Sequence, residues 1–234
     1  MKLPSEKSKP VVNINDYIYL IHGDPKTGKT TFVSGFEKTL FIATEPGHKF
    51  QEIFKLEPKD WEDVRNIVKN LIKEEHDFKT IAIDTVDNAY KMCEQYVCKK
   101  NGISHPSDMP YGKGFSGVKE EFSNVISALF RHGMGIVFIS HSQQKDVEEG
   151  SVKRTVTETT LSGSAAKTIY GLCDFIFHVY VDGEGKRWMK TKGSPYLKAG
   201  DRSGILPETM ELDYKEFVKE INKWKPNKQQ KETK

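Results

Sequence analysis

Residues 23–30 read Gly23-Asp24-Pro25-Lys26-Thr27-Gly28-Lys29-Thr30, and they fit the pattern G-x-x-x-x-G-K-T. An apolar run at 17–21 precedes this stretch, and residues 30–36 can follow it as a helix. Glycines in such a loop let backbone N–H groups turn inward around phosphate oxygens, and the N-terminus of the following helix adds a favourable dipole. The stretch therefore predicts a phosphate-binding loop between a buried strand and a helix.

The two residues after the second glycine of this loop have specific expected roles. Lys29 is expected to reach the β- and γ-phosphates of a nucleoside triphosphate, and the Thr30 hydroxyl is expected to ligate Mg²⁺. The alternative is a chance match to the pattern in a glycine-containing loop. The strand before the loop and the helix after it favour the P-loop of nucleoside triphosphatases, because the mechanism requires both.

Composition and charge narrow the class of protein. The 234 residues, 36% of them hydrophobic, suffice for one α/β domain. The net charge of +3 gives no strong global attraction to nucleic acid, so any DNA contact depends on local patches. Cys93, Cys98 and Cys173 form no zinc-binding pattern, which indicates reduced thiols. No apolar stretch approaches the ~18 residues of a membrane span and no signal-peptide core is present, so we expect a cytoplasmic protein without a membrane partner.

Apolar strand-like runs alternate with amphipathic helical patterns along the chain. Predicted strands lie at 39–44, 80–83, 135–139, 174–181 and 186–192, and predicted helices lie at 60–72, 86–100, 118–130, 164–172 and from 213 onward. This alternation predicts an α/β fold with a mainly parallel sheet flanked by helices, and the turn at 182–185 predicts a β-hairpin at one edge. Segments predicted to be irregular or loops are 46–59, 101–116 and 142–163. We expect a flexible arm at 1–15, one domain at 16–224 and a disordered lysine-rich tail at 225–234.

Three polar residues follow predicted strands, at the edge where ligands bind in open α/β sheets. Asp84 ends an apolar strand and is expected to hold Mg²⁺; the alternative is a cap for the next helix. Glu45 follows the second strand and can orient or deprotonate an attacking water; the alternative is an exposed loop glutamate. His141 follows the fourth strand and can sense a γ-phosphate; the alternative is an ordinary polar residue at a strand end.

The order of these motifs resembles the RecA-like recombinase core. The shared elements are a strand, the G-x-x-x-x-G-K-T loop, a strand ending in Glu45, a strand ending in Asp84-Thr85 and a strand ending in Ser140-His141. Residues 161–170 resemble the segment that leaves the second DNA-binding loop, and 190–196 resemble the Lys-x-Lys element that reaches a neighbouring subunit's ATP in RecA filaments. Over 16–215 the chain is similar to the short phage-encoded RecA-like ATPases of the Sak single-strand-annealing group, which carry a histidine at the sensing position.

The resemblance implies a set of nucleotide-site residues. It implies ATP binding by nine consecutive residues: Gly23, Asp24, Pro25, Lys26, Thr27, Gly28, Lys29, Thr30 and Thr31. It also implies Mg²⁺ binding at Thr30 and Asp84, with Glu45, Lys29 and His141 as catalytic residues.

The resemblance further implies single-stranded DNA binding by 101–117 and 143–162. The candidate contacts are cations and aromatic rings, namely Tyr111, Lys113, Phe115, Lys145, Lys153 and Arg154. Acidic residues offset the cations of the second segment, so a solvated polar segment is the alternative there. Lys190 and Lys192 would reach ATP only across a subunit interface, which implies a homo-oligomer, either a filament or a ring; surface lysines on a hairpin are the alternative.

Together these patterns predict a DNA-dependent ATPase that binds single-stranded DNA and supports phage DNA annealing or recombination. One alternative is a small-molecule or nucleotide kinase, although the arginines of this chain do not cluster as in a kinase lid. The other is a non-hydrolysing ATP-dependent adaptor of a single-strand-binding protein or a helicase.

Overall fold

The computed structural model describes residues 3, 5, 6 and 13–223, except 132, 151 and 162. Most of the expected arm at 1–15 and all of the expected tail at 225–234 lie outside the described residues, as does Trp224.

A mixed, mainly parallel sheet forms the centre of the molecule. Its strands are β1 (Ile18–Gly23), β2 (Thr39–Ala43), β3 (Phe54–Leu56), β4 (Thr80–Asp84), β5 (Gly135–Ser140), β8 (Phe175–Val181), β9 (Arg187–Lys190), β10 (Gly200–Asp201) and β11 (Thr209–Glu211). The strand order is β11-β9-β8-β1-β5-β4-β2-β3, with β10 paired to β8. The strands from β8 to β3 in that order are mutually parallel, and β9, β10 and β11 are antiparallel additions. The predicted α/β fold is confirmed.

Helices flank this sheet, as predicted. They are α1 (Lys29–Val33), α2 (Trp61–Lys73), α3 (Val86–Asn101), α4 (Lys113–Phe130), α5 (Gly163–Leu172) and α6 (Tyr214–Asn222). The Asp60 carboxylate accepts the Asp63 N–H at 3.0 Å at the start of α2, and the Asp213 carboxylate accepts the Glu216 N–H at 3.0 Å at the start of α6. These side-chain caps satisfy backbone donors that have no partner inside the helix, and so they set where both helices begin.

The strand that leads into the phosphate-binding loop is buried on both sides. Leu20 of β1 packs into a cluster with side chains of α2, α3, α4 and α5. Its neighbours Tyr19 and Ile21 pack into a second cluster with side chains of α1 and α6. A strand covered on both faces needs a continuous apolar run, which is what 17–21 provides. The loop after β1 therefore follows a strand whose side chains pack into both hydrophobic clusters.

Residues 142–163, which we predicted to be a loop, contain a β-hairpin. Strands β6 (Ser142–Glu149) and β7 (Val152–Thr159) pair antiparallel over eight residues each. Gly150 has φ +64° in the turn, a conformation that favours glycine. The loop prediction was wrong because few side chains of the hairpin are apolar and buried. Val156 is the apolar side chain of the hairpin that the structure describes as buried.

Two other segments are more regular than we predicted, and the predicted hairpin around the turn at 182–185 is confirmed. The segment 101–116 contains 3₁₀ turns at Pro106–Asp108 and Pro110–Gly112 and the first turn of α4. The segment 46–59 contains the short edge strand β3. The strands β8 and β9 pair antiparallel across the predicted turn at 182–185, and β8 joins this hairpin to β1.

His22 is fully buried in β1, directly before the phosphate-binding loop. Its Nε2 lies 2.6 Å from the Lys198 carbonyl oxygen and its Nδ1 lies 2.9 Å from Ser142 Oγ. The Nε2–H group therefore donates to the carbonyl, and Nδ1 accepts from the hydroxyl. Burial, with a smaller contribution from His178, lowers the pKa of His22 to about 3. His22 thus stays neutral in the folded protein at pH values that protonate an unfolded chain.

We expect this buried histidine to make the protein less stable as the pH falls from 7 to 5. The pKa of His22 is lower in the folded state than the ordinary value of 6.5 for histidine, so the unfolded state takes up the proton first. The stabilisation is complete above pH 6.5 and is lost as the pH falls toward 3, and the loss between pH 7 and pH 5 is about 2 kcal/mol. Urea unfolding of wild type and His22→Gln at both pH values measures the loss.

The His22→Gln variant should lose less stability than wild type between these two pH values. Equal losses in the two proteins would contradict the assignment. The exposed His76 provides a matched control, because His76→Gln should keep the pH dependence of wild type.

Candidate nucleotide-binding site

Two glycines of the phosphate-binding loop are required by its geometry. Gly28 has φ +100° and is the N-cap of α1, so a side chain there would be strained. A Cβ atom on Gly23 would lie 2.2 Å from the Val179 carbonyl oxygen of β8, so the close approach of β1 and β8 leaves no room for one. The loop therefore turns tightly from β1 into α1 and leaves backbone N–H groups of the first helical turn available to an anion.

Lys29 is buried within this loop. Its Nζ atom donates to the carbonyl oxygens of Gly23 and Asp24, both at 2.8 Å. Burial lowers the pKa of Lys29, while the carboxylates of Asp84 and Glu45 oppose this shift. The structure thus holds the Lys29 amino group inside the phosphate-binding loop, close to acidic residues near the carboxyl ends of β2 and β4.

Asp84, at the end of β4, faces the phosphate-binding loop. Its Oδ2 accepts the Thr30 hydroxyl at 2.8 Å, and it lies 3.0 Å from His48 Nε2. The N-cap of α3 is Thr85, so Asp84 is not the helix cap that we considered as an alternative. His48, which no sequence motif predicted, is 5% exposed, and its Nδ1 has no hydrogen-bond partner among the described residues.

The donor set at Thr30 and Asp84 suits Mg²⁺. Magnesium keeps several water ligands and is held in proteins by one or two carboxylates together with substrate phosphates. A threonine hydroxyl beside a carboxylate is such a set, and Thr30 directly follows Lys29 in the chain. Within the part of the chain that the structure describes, no group of three or more His, Cys, Asp or Glu side chains is arranged to hold a metal ion. A cation at Thr30 would therefore depend on the nucleotide for further ligands.

Glu45 and His141, which the sequence predicts to act at the same site, lie side by side. His141 Nε2 lies 3.4 Å from both carboxylate oxygens of Glu45. Glu45 Oε2 also accepts from Asn88 Nδ2 at 3.2 Å and lies 3.4 Å from Thr85 Oγ1. A little over a quarter of each of the Glu45 and His141 side chains is exposed, so both reach solvent. The carboxylate is thus oriented from three sides and still accessible to water.

A cavity of about 520 Å³ joins these residues. It is lined by residues of the phosphate-binding loop and by Glu45, His48, Phe50, Gln51, Asp84, His141 and Arg187. Phe50, Gln51 and Arg187 were not predicted to belong to this site. Gln51 Nε2 donates to Thr31 Oγ1 at 3.1 Å, and the Arg187 side chain packs against Gly28. Motif spacing gave no signal for these three residues, because long-range strand pairing and the irregular segment after β2 bring them to the cavity.

A larger cavity of about 670 Å³ lies at the opposite ends of the strands. Its lining includes Asp16, Lys79 and Met134, which precede β1, β4 and β5. It contains no glycine-rich loop, and none of the predicted site residues lies there. The smaller cavity is therefore the candidate nucleotide site.

Of the six predicted DNA-contacting residues, five are exposed and Arg154 is half-buried, and the six lie on two separate segments. Tyr111 has φ +58° and is 96% exposed, and Phe115 is 47% exposed with its ring edge-on to His105. Lys113, the first residue of α4, lies between them. On the hairpin, the structure places three predicted contacts, Lys145, Lys153 and Arg154, in β6 and β7.

The two lysines of the hairpin are engaged in ion pairs. Lys145 pairs with Glu158 at 3.3 Å, and Lys153 pairs with Glu148 at 2.5 Å. These pairs reduce the positive charge that the hairpin presents to an anion. Lys190 ends β9, and Lys192 is exposed two residues later.

The fold and the site together define the class of the protein. A buried strand, a G-x-x-x-x-G-K-T loop and a helix, with an aspartate at the end of a neighbouring parallel strand, are the parts of a P-loop NTPase. Residues 15–203 match the AAA_24 family, described as AAA domain, and the chain belongs to this family.

Two known proteins are similar to this chain. The SPbeta prophage-derived uncharacterized protein YorG of Bacillus subtilis (strain 168) is 26% identical over 133 residues, which cover 54% of this chain and 41% of YorG. The match therefore spans less than half of that relative. The crystal structure of the RadB recombinase gives a TM-score of 0.46 at 14% identity and covers 80% of this chain and 84% of that chain. None of the helices in the described part of the chain is long and apolar enough to cross a bilayer.

The position of Arg187 predicts a contribution to nucleotide affinity. Its exposed side chain packs against Gly28 and lines the cavity, so its guanidinium can reach an anion bound to the loop. A charge-assisted hydrogen bond contributes about 1.5–3 kcal/mol, so Arg187→Ala should weaken ATP binding by roughly 10-fold or more. Titration with a fluorescent ATP analogue measures the change.

Lys186→Ala is the matched control, because Lys186 pairs with Glu211 and lies over the Trp188 ring. Unchanged affinity in Arg187→Ala would contradict the prediction.

Proposed function

We propose that this protein binds and hydrolyses ATP, and that it binds single-stranded DNA in support of phage DNA annealing or recombination. The observation that carries the proposal is the contact between Glu45 and His141 at the nucleotide cavity. His141 directly precedes strand β6, so the same residue borders both the cavity and the hairpin. ATP would therefore act as a switch whose γ-phosphate is sensed next to a DNA-binding element.

The residues of the cavity supply distinct parts of an ATP hydrolysis site. Lys29 supplies the positive charge for the β- and γ-phosphates, and Glu45 orients or deprotonates the attacking water. His141 lies beside Glu45 and donates toward the γ-phosphate. Thr30 and Asp84 would hold Mg²⁺, which when bound neutralises negative charge on the phosphate oxygens.

The proposed DNA contact is supported mainly by the segment around Tyr111. Two exposed aromatic residues, Tyr111 and Phe115, lie two positions before and after the exposed Lys113 in the chain. Exposed rings combined with positive charge are how proteins bind single strands without strong sequence preference. The hairpin would contribute through Lys145, Lys153 and Arg154, with the two lysines exchanging their carboxylate partners for phosphates.

The biological setting of the proposal is supported by the kind of relative that the chain matches. YorG is described as prophage-derived, which is consistent with a phage origin and with membership of the Sak group. We further propose that the protein acts in the host cytoplasm as a homo-oligomer, in which Lys190 and Lys192 reach a neighbouring subunit's ATP. A single-strand-binding protein is a proposed partner.

The DNA-binding part of the proposal predicts a large effect of Tyr111→Ala. Stacking of a base on an aromatic side chain contributes about 1–3 kcal/mol, so affinity for an oligo-dT strand should fall roughly 5- to 150-fold. Fluorescence anisotropy with a labelled strand in the presence of ATP measures this affinity. Phe54→Ala is a matched control, because Phe54 is a 63% exposed ring on the edge strand β3. Equal affinities for Tyr111→Ala and Phe54→Ala would contradict the assignment of Tyr111.

A further inference from the structure

Asp87 is a buried carboxylate in the first turn of α3 that the proposed chemistry does not use. The residue is 8% exposed. Its Oδ1 accepts the hydroxyls of Ser140 at 3.0 Å and Thr160 at 2.7 Å, and its Oδ2 accepts the His141 N–H at 3.4 Å. A buried carboxylate needs such donors, because losing one leaves desolvated negative charge without compensation.

The three donors come from the two ends of the hairpin. Ser140 and His141 lead into β6, and Thr160 directly follows β7. The two ends also contact each other, because the Thr160 N–H donates to the His141 carbonyl oxygen at 2.9 Å. The Ser140 hydroxyl additionally contacts the hydroxyl of Thr159, which is fully buried. Asp87 therefore fixes the base of the hairpin as a unit.

The same turn of α3 also holds the predicted catalytic glutamate. Asn88, the residue after Asp87, donates to Glu45 Oε2 at 3.2 Å. His141 links the two groups, because its backbone N–H contacts Asp87 and its imidazole contacts Glu45. The Asp87 carboxylate lies within 3.4 Å of both the Thr160 hydroxyl and the His141 backbone nitrogen. A displacement of Thr160 would therefore disturb the carboxylate that accepts from the His141 backbone.

We propose that Asp87 is a positioning residue that couples the hairpin to the ATP site. A strand of DNA that shifts the hairpin shifts Thr160, and Asp87 transmits the change to His141 beside Glu45. Coupling free energies between two binding sites are reciprocal. If DNA on the hairpin changes the affinity for the nucleotide by some factor, the nucleotide therefore changes the affinity of the hairpin for DNA by that same factor. This inference rests on the proposed function, because it takes the hairpin as a DNA-contacting element.

The experiment compares Asp87→Asn and Thr160→Val with wild type. Asparagine keeps the size of the side chain but turns one acceptor into a donor, which opposes either the His141 N–H or the two hydroxyls. Valine removes the Thr160 hydroxyl at an exposed position, so this variant should fold even if Asp87→Asn does not. Thr155→Val is the matched control, because the Thr155 hydroxyl donates to Asp146 on the exposed part of the hairpin at 2.7 Å.

Two ratios are measured for each protein. One is the ATP turnover with saturating oligo-dT divided by the turnover without it, and the other is the oligo-dT affinity with ATP divided by that with ADP. We expect both ratios to fall close to 1 in Asp87→Asn and Thr160→Val, a drop of about 5-fold if wild type is stimulated about 5-fold, while the affinity for ATP changes less than about 2-fold. Thr155→Val should keep the wild-type ratios. A variant that is only destabilised would melt at lower temperature with both ratios unchanged.

The possible outcomes separate the two proposals. If wild type is stimulated by oligo-dT and both folded variants match it in the two ratios, the role of Asp87 is overturned while the proposed function stands. If wild type itself responds to oligo-dT in neither ratio, both the role of Asp87 and the proposed function are overturned. Lowered ratios in both variants, with no further loss in the double variant, support a single shared interaction.

Discussion

The Glu45→Gln variant is expected to bind ATP as tightly as wild type and to hydrolyse it about 10²- to 10⁴-fold more slowly. Glutamine keeps the size of the side chain and can still contact His141 and Asn88, which lie at 3.4 and 3.2 Å from the carboxylate. It loses the charge that allows the carboxylate to accept a proton from the attacking water. Phosphate release under saturating Mg-ATP, together with an ATP titration, separates the chemical step from binding.

Glu52→Gln is the matched control for this prediction. Glu52 is an exposed carboxylate on the same segment after β2 and does not line the cavity. Its replacement should leave both turnover and ATP affinity at wild-type values. Normal hydrolysis by Glu45→Gln would show that Glu45 is not the catalytic carboxylate.

The Lys29→Ala variant is expected to lose ATP binding by at least about 100-fold. The Lys29 ammonium group is held inside the phosphate-binding loop, and it is expected to make charge-assisted hydrogen bonds to two phosphates at about 1.5–3 kcal/mol each. Isothermal titration with Mg-ATP measures the loss, and circular dichroism checks that the fold is kept.

The matched control for Lys29→Ala is Lys49→Ala. Lys49 is exposed on the segment next to the cavity and does not line it, so its removal tests for a general effect of positive charge. ATP affinity should stay within about 2-fold of wild type in this control, as for most surface substitutions. Retained ATP binding by Lys29→Ala would contradict the assignment of the phosphate-binding loop.

The parts of the fold that sequence predicted well are those where one pattern has one physical meaning. The loop at 23–30 needs one glycine with a left-handed backbone conformation, which is Gly28, and one where a Cβ atom would not fit, which is Gly23. The apolar runs before Glu45, Asp84 and His141 predicted parallel strands, and parallel strands bring their carboxyl ends to one edge. The meeting of these side chains at one cavity follows from that geometry.

The hairpin at 142–159 was missed because it lacks the signal that identifies strands in a core. Its residues are mostly polar and exposed, whereas the strand signal used for the sheet is apolar. Gly150 and the β-branched residues of β7 were the available signal, because a glycine turn between β-favouring segments is typical of a hairpin. The hairpin is held by contacts at its base, such as Thr160 with Asp87, that no local pattern reveals.

Two buried polar residues of the site were also outside the reach of sequence patterns. His48 contacts Asp84 from an irregular segment, and its position depends on how that segment folds over the cavity. Asp87 reads as an ordinary acidic residue in the first turn of a helix, where it would favour the helix dipole. Its burial depends on three donors that approach from residues more than 50 positions away.

The proposed function requires that single-stranded DNA controls ATP turnover at this site. The most direct test is phosphate release from Mg-ATP by the purified protein, with and without saturating single-stranded DNA. We predict turnover that rises about 5-fold or more when DNA is added, as a coupling of ordinary size would give. Turnover that single-stranded DNA leaves unchanged, or ATP binding without any turnover, would contradict the claim; the first result would favour a kinase and the second an ATP-dependent adaptor.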